Sequence, residues 1–167
     1  MAAKPQLRLT ELIAALTRNA VDFVVIGGVA AQLHRLPMPA TIDLDITPSR
    51  SPENLVRLAK VFDEIDAALA TAGEYGIWFP RHPISKWAQY DTIHLVAKFG
   101  LLDLVFAPEG SDDGFNELIR ESQKIQIGKH VVRVISVDTW ERLKTATKRD
   151  KDIFHLLLLA RHREQRE

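Results

Sequence analysis

Apolar and polar positions follow two different periods along this chain, and the switches between them divide it into elements. Leu9, Leu12, Ile13 and Leu16 recur at helical spacing and predict a helix over 9–19. The apolar run Phe23 to Ile26 predicts a short buried strand stopped by Gly27-Gly28. Val29 to Leu36 reads as a short helix closed by Pro37 and Pro39, after which Thr41 to Thr47 alternates apolar and acidic residues at strand period. Ser51 offers an N-cap hydroxyl ahead of Pro52 at the first helical position. From there Leu55, Leu58, Phe62, Ile65 and Leu69 predict one helix ending near Gly73.

Between Tyr75 and Tyr90 the period is lost, and the prolines and aromatics read as a long ordered loop. Its Tyr75, Trp78, Phe79, Trp87 and Tyr90 have two uses open to them: covering a sheet edge, the commoner one, or stacking a base. Thr92 to Lys98 and Leu101 to Phe106 flank Phe99-Gly100 as paired strands, and Ile125 to Ile127 with Val131 to Ile135 flank Gly128-Lys129 as a second hairpin. A helix around Phe115 to Glu121 lies between them. Ser136 or Asp138 caps a helix carrying Trp140 and Leu143, and Ile153 to Leu159 belongs to a last helix that ends in a charged tail. Strands and helices mixed in this way predict an α+β chain, a mixed central sheet flanked by helices. We expect one domain over 1–167, with a core of about 20–135 and a helical part of about 136–167.

Composition narrows the chemistry. The 167 residues contain no cysteine, so disulfides and thiolate metal sites are excluded, and a bound divalent ion must be held by oxygen or imidazole. Lys+Arg and Asp+Glu both number 22, which removes a global basic field as the basis for nucleic-acid binding. No run approaches 18 apolar residues and the N-terminal stretch carries charges, so neither a membrane span nor a secretory signal is expected. A cytoplasmic protein is the expectation.

The acids then stand out. In a strand, residues i and i+2 share a face, so Asp43 and Asp45 present two carboxylates ~7 Å apart along the backbone, with Leu44 and Ile46 turned to the core. Carboxylates held this close repel unless a cation lies between them, and hard oxygen ligands suit Mg²⁺ or Mn²⁺. Asp103 is a lone charge in an apolar strand, where an unpaired carboxylate is costly, and it is the candidate third ligand. Gly27-Gly28 ends a buried strand and opens a helix, a turn whose N–H groups suit a phosphate. A metal site and a phosphate cradle together point to phosphoryl or nucleotidyl transfer.

The segments IGGVAAQLH (26–34), TIDLDI (41–46), LLDLV (101–105) and SVDTWERLKTATKRDKD (136–152) resemble the nucleotidyltransferase fold of the polymerase-beta type, in a minimal form similar to the AbiEii-class toxins. The resemblance implies a metal-dependent enzyme that moves a nucleoside monophosphate from an NTP to a hydroxyl of RNA, tRNA or protein. It also implies the toxin half of a toxin–antitoxin pair, with a cognate antitoxin as partner. On it, Asp43, Asp45 and Asp103 are the catalytic metal ligands, and Gly27 and Gly28 hold the triphosphate. Lys144, Arg149, Lys151 and Asp152 lie near the nucleotide or its acceptor. Two positions depart from the family pattern: Gly28, where many members carry serine, and His155, where related sequences often carry an acid.

Ordinary readings stand beside each of these. Asp43 and Asp45 could be solvated acids of an edge strand, and Gly27-Gly28 a plain turn. Lys144, Lys148, Arg149 and Lys151 could form a solvated helix face. His34 reads as a half-buried polar residue rather than a ligand. A non-catalytic nucleotide-binding or regulatory module of the same fold, or an antitoxin-like partner, is the alternative function, motivated by Gly28.

Overall fold

The computed structural model describes residues 5–167. In chain order these form α1 (Leu9–Arg18), β1 (Phe23–Ile26), α2 (Gly27–Leu33), β2 (Asp43–Pro48), α3 (Pro52–Glu64), β3 (Ala68–Thr71) and β4 (Glu74–Ile77). There follow α4 (Ser85–Ala88), β5 (Thr92–Ala97), β6 (Gly100–Val105), α5 (Phe115–Leu118), β7 (Ser122–Ile127), β8 (His130–Ile135), α6 (Val137–Thr147) and α7 (Asp150–Glu164). The strands make one sheet in the order β4-β3-β5-β6-β2-β1-β8-β7. Its pairs are antiparallel except β2 with β6 and β1 with β8. The α+β architecture expected from the pattern is the one found.

Burial follows the two periods. All four residues of β1 are buried, as befits a central strand covered on both faces. In β2 and β6 the side chains of Leu44, Ile46, Leu102 and Leu104 are fully buried on one face, which leaves Asp43, Asp45 and Asp103 on the other side of the pleat. Helix α1 buries Leu12, Ile13, Ala15 and Leu16; α3 buries Leu58, Ala59, Val61 and Phe62 along one stripe. No described helix is long and apolar enough to cross a membrane.

Two segments depart from the sequence expectation. The third helix stops at Glu64 rather than near Gly73: Asp66 takes φ +51°, and the Ala67 N–H donates back to the Phe62 carbonyl at 2.8 Å. This left-handed turn closes the helix. Ile65 and Leu69 satisfy helical spacing, but Leu69 lies on β3, paired with Leu95 of β5. The stretch read as loop supplies β4 and α4. Phe79 and Trp87 pack edge-on against Phe62 at 5.6 and 4.9 Å, while Trp78 and Tyr90 are 70% and 57% exposed. Phe79 and Trp87 thus cover the end of α3.

Arg81 holds that cover in place. Its buried guanidinium donates to the carbonyls of Ala67 at 2.6 Å and Phe79 at 2.9 Å, and to Asp63 at 3.1 Å. It also donates to the Phe62 carbonyl near the end of α3 at 3.4 Å. At the other end of the chain, Ser136 caps α6 by accepting from the Thr139 N–H at 3.1 Å. The Trp140 indole donates to the Gly27 carbonyl at 3.1 Å and ties α6 to the start of α2. Arg81→Ala should lower the free energy of unfolding by about 3 kcal/mol in urea denaturation, because it strands buried carbonyls and opens a void. A loss within experimental error would show that the 79–88 segment is not anchored this way.

Candidate active site

Sheet register assembles the acids. Ile26 of β1 lies opposite Asp45 of β2, Asp45 opposite Asp103 of β6, and Asp103 opposite His94 of β5, one row across four strands. Cross-strand neighbours in a row share a face. Asp43, two residues before Asp45, joins them on the same side of β2. One carboxylate oxygen from each of Asp43, Asp45 and Asp103 lies within 4.8 Å of the others. Asp45 is the deepest: its Oδ1 is buried and has no hydrogen-bond partner among the described residues. Burial first, then the charges of Asp43 and Asp103, push its pKa up to about 8. Asp103 is raised too, burial outweighing the hydrogen bond with His94, whose Nδ1 lies 2.9 Å from Asp103 Oδ1.

Such a cluster lacks positive charge. An orphaned buried carboxylate oxygen beside two further acids fits a hard divalent cation such as Mg²⁺ or Mn²⁺. Gly27 fits the same arrangement. Its φ is +66°, and a Cβ there would stand 2.2 Å from Asp45 Oδ2, so only glycine allows β1 to turn this close to the carboxylate. Gly28 follows at the start of α2 and packs beside Thr41.

The opposite wall is cationic. A cleft of about 450 Å³ is lined by Gly27, Asp45, His94 and Asp103 on the sheet side and by Lys144, Thr147 and Arg149 from the C-terminal helices, with Ile26, Val105 and Leu143 between. That volume is in the range of small-molecule sites. Asp152, 1% exposed, lies behind the wall and accepts from Lys144 Nζ and Arg149 Nε, each at 2.8 Å, and from the Thr147 hydroxyl. Burial alone would raise its pKa; these donors bring it down to about 2. Asp152 is therefore an ionised anchor for two cations rather than a lining residue. Lys151, placed with them by the sequence reading, is exposed and lies outside the cleft lining. His155 stacks against Trp140 with ring centres 6.4 Å apart, and burial, then Lys144 and Lys151, lower its pKa. His34 is half-buried outside the cleft, its Nε2 2.7 Å from the Ile135 carbonyl.

No protein-family profile and no curated protein matches the sequence. Solved structures do match the shape. A candidate nucleotidyltransferase of Thermotoga maritima, TM1012, superposes with a TM-score of 0.56 at 13% identity, over 91% of this chain and 93% of that one. The antibiotic-resistance factor ANT(2'')-Ia superposes with a TM-score of 0.53 at 16% identity, over 92% of this chain and 81% of that one. The fold is that of the nucleotidyltransferases. At these identities the likeness concerns the backbone.

His94 and Thr147 escaped the sequence reading. His94 is one polar position in an alternating strand. Placing the turn at Phe99-Gly100 pairs Asp103 with Val96; the structure turns at Lys98-Phe99, which shifts the register by two and brings His94 opposite Asp103. Thr147 is a C-terminal helix residue whose partner becomes visible only once α7 folds back on α6. Because Asp45 titrates near 8 in the folded protein but near its ordinary value when unfolded, the folded state holds an extra proton from about pH 4 to pH 8. The metal-free protein should therefore lose stability as pH rises through that window. Asp45→Asn should raise its Tm at pH 8 by several degrees in calorimetry, and by much less at pH 4. An equal effect at both pH values would refute this account.

Proposed function

We propose that this protein is a Mg²⁺- or Mn²⁺-dependent nucleotidyltransferase that moves a nucleoside monophosphate from an NTP to an acceptor hydroxyl. The observation that carries the proposal is the three-acid cluster, whose Asp45 and Asp103 line one cleft opposite the wall of Lys144 and Arg149. Asp43, Asp45 and Asp103 would hold the metal. When bound, divalent metal lowers the pKa of the acceptor hydroxyl and neutralises charge on the phosphates.

The remaining work falls to the chain's own residues. Lys144 and Arg149 face the phosphates, with Asp152 fixing the directions of both side chains. Gly27 and Gly28 let the backbone approach the triphosphate at the start of α2. The acceptor oxygen bonds to the α-phosphorus, the α–β phosphoanhydride bond breaks, and pyrophosphate departs. The acceptor proton passes to Asp103, whose burial raises its pKa above the ordinary carboxylate range and makes it a stronger base. His94 holds Asp103 in orientation for that transfer. The resemblance to the AbiEii class makes tRNA or a protein side chain the acceptor to test first. The same resemblance supports a role as the toxin of a toxin–antitoxin pair, with a cognate antitoxin as partner.

Transfer of α-labelled nucleotide from each NTP, with Mg²⁺ or Mn²⁺, into total tRNA and into a soluble lysate tests this reading. Label should enter one acceptor class, and Asp43→Asn or Asp103→Asn should cut incorporation more than about 100-fold. Lys144→Met should weaken NTP binding roughly tenfold or more in calorimetric titration, through loss of a charged phosphate contact. Nucleotide binding without transfer to any acceptor would instead favour a regulatory or antitoxin-like module of the same fold.

A further inference from the structure

Each of the three acids is held by something different. Asp45 is held by burial against Gly27, and Asp103 by His94. Asp43 has one side-chain partner among the described residues: the Thr41 hydroxyl, which donates to its Oδ1 at 2.7 Å. The Thr41 hydroxyl oxygen also accepts from the Asp43 N–H at 3.4 Å, so Thr41 closes a local turn over the first residue of β2. Behind Thr41 stands Gly28. A Cβ on Gly28 would meet Thr41 Cβ at 2.9 Å, Oγ1 at 3.0 Å and Cγ2 at 3.4 Å.

Gly28, unlike Gly27, does not adopt a positive φ. Its backbone would accept any residue, and only the space taken by Thr41 excludes a side chain. Thr41 in turn is enclosed between Gly28 and Asp43. A β-branched residue packed on one side has one staggered position in which its hydroxyl reaches the carboxylate.

We infer that Thr41 is a positioning residue for Asp43, and that position 28 is glycine to make room for it. The start of α2 and the first acid of β2 are thereby coupled through one side chain. The departure at Gly28 is then a steric consequence of Thr41 and no sign of a dismantled site. The inference rests on the metal-site reading for its first half; its second half is steric and independent of any metal.

Two measurements on the full chain test it. Mn²⁺ affinity, read from the free-ion paramagnetic resonance signal without nucleotide, should fall about tenfold or more in Thr41→Val and stay within about threefold in Thr41→Ser. If the wild type binds no Mn²⁺, the metal site fails and this half falls with it. If the wild type binds and Thr41→Val binds equally well, or Thr41→Ser loses as much as Thr41→Val, the metal site stands and the role of Thr41 is overturned. In the second measurement, Gly28→Ala should lower Tm by several degrees with Thr41 present, and by clearly less in a Thr41→Gly background. Equal penalties in the two backgrounds would overturn the steric coupling.

Discussion

Three carboxylates share one patch of this sheet, and their mutual repulsion in a partly dry cleft is the constraint around which the rest is arranged. Parallel pairing of β2 with β6 brings Asp45 opposite Asp103, and the alternation of β2 adds Asp43. Nothing in the hydrophobic core demands this. Leu44, Ile46, Leu102 and Leu104 would pack as well with neutral residues on the far side of the pleat. Burial of Asp45 with an orphaned oxygen is destabilising for the protein alone, and folds retain such strain where a ligand relieves it.

The C-terminal helices supply the complementary charge without approaching the acids directly. Asp152, inside the α6–α7 junction, gathers Lys144 and Arg149 and leaves them on the wall that faces the acids. One buried anion thus directs two cations, and its pKa of about 2 keeps the arrangement ionised around neutral pH. Trp140 adds a mechanical link, its indole bound to the Gly27 carbonyl at the turn beside Asp45. Cation wall and acid row are therefore joined through the backbone that lies between them. A substrate carrying both metal-binding oxygens and negative charge would bridge the two.

Strand edges show a different economy. The β3–β4 hairpin extends the sheet beyond β5, and Arg81 with Phe79 and Trp87 seals the turn where α3 ends. Phe79 and Trp87 do not line the cleft, and both are buried in packing against α3.

Much of this could be read before any coordinates. The period of each segment identified α1, β1, β2, the strands of the β5–β6 and β7–β8 hairpins and α6, because the spacing of apolar residues is a local property that burial enforces residue by residue. The acids at 43, 45 and 103 stood out because charge in an otherwise apolar strand needs compensation wherever the strand lies. The helix end at Glu64 was hidden, since Ile65 and Leu69 satisfy helix and strand alike and only pairing with β5 decides between them. The segment 75–90 was hidden because its order comes from partners outside it, Phe62 against Phe79 and Trp87 and Asp63 and Ala67 against Arg81, at the end of α3. Register is a tertiary quantity: a two-residue shift at Lys98-Phe99 determines whether Asp103 meets Val96 or His94. By itself the sequence determined which residues must be compensated; the tertiary structure decided by whom, because a carboxylate's partners are set by which strands and helices meet in space.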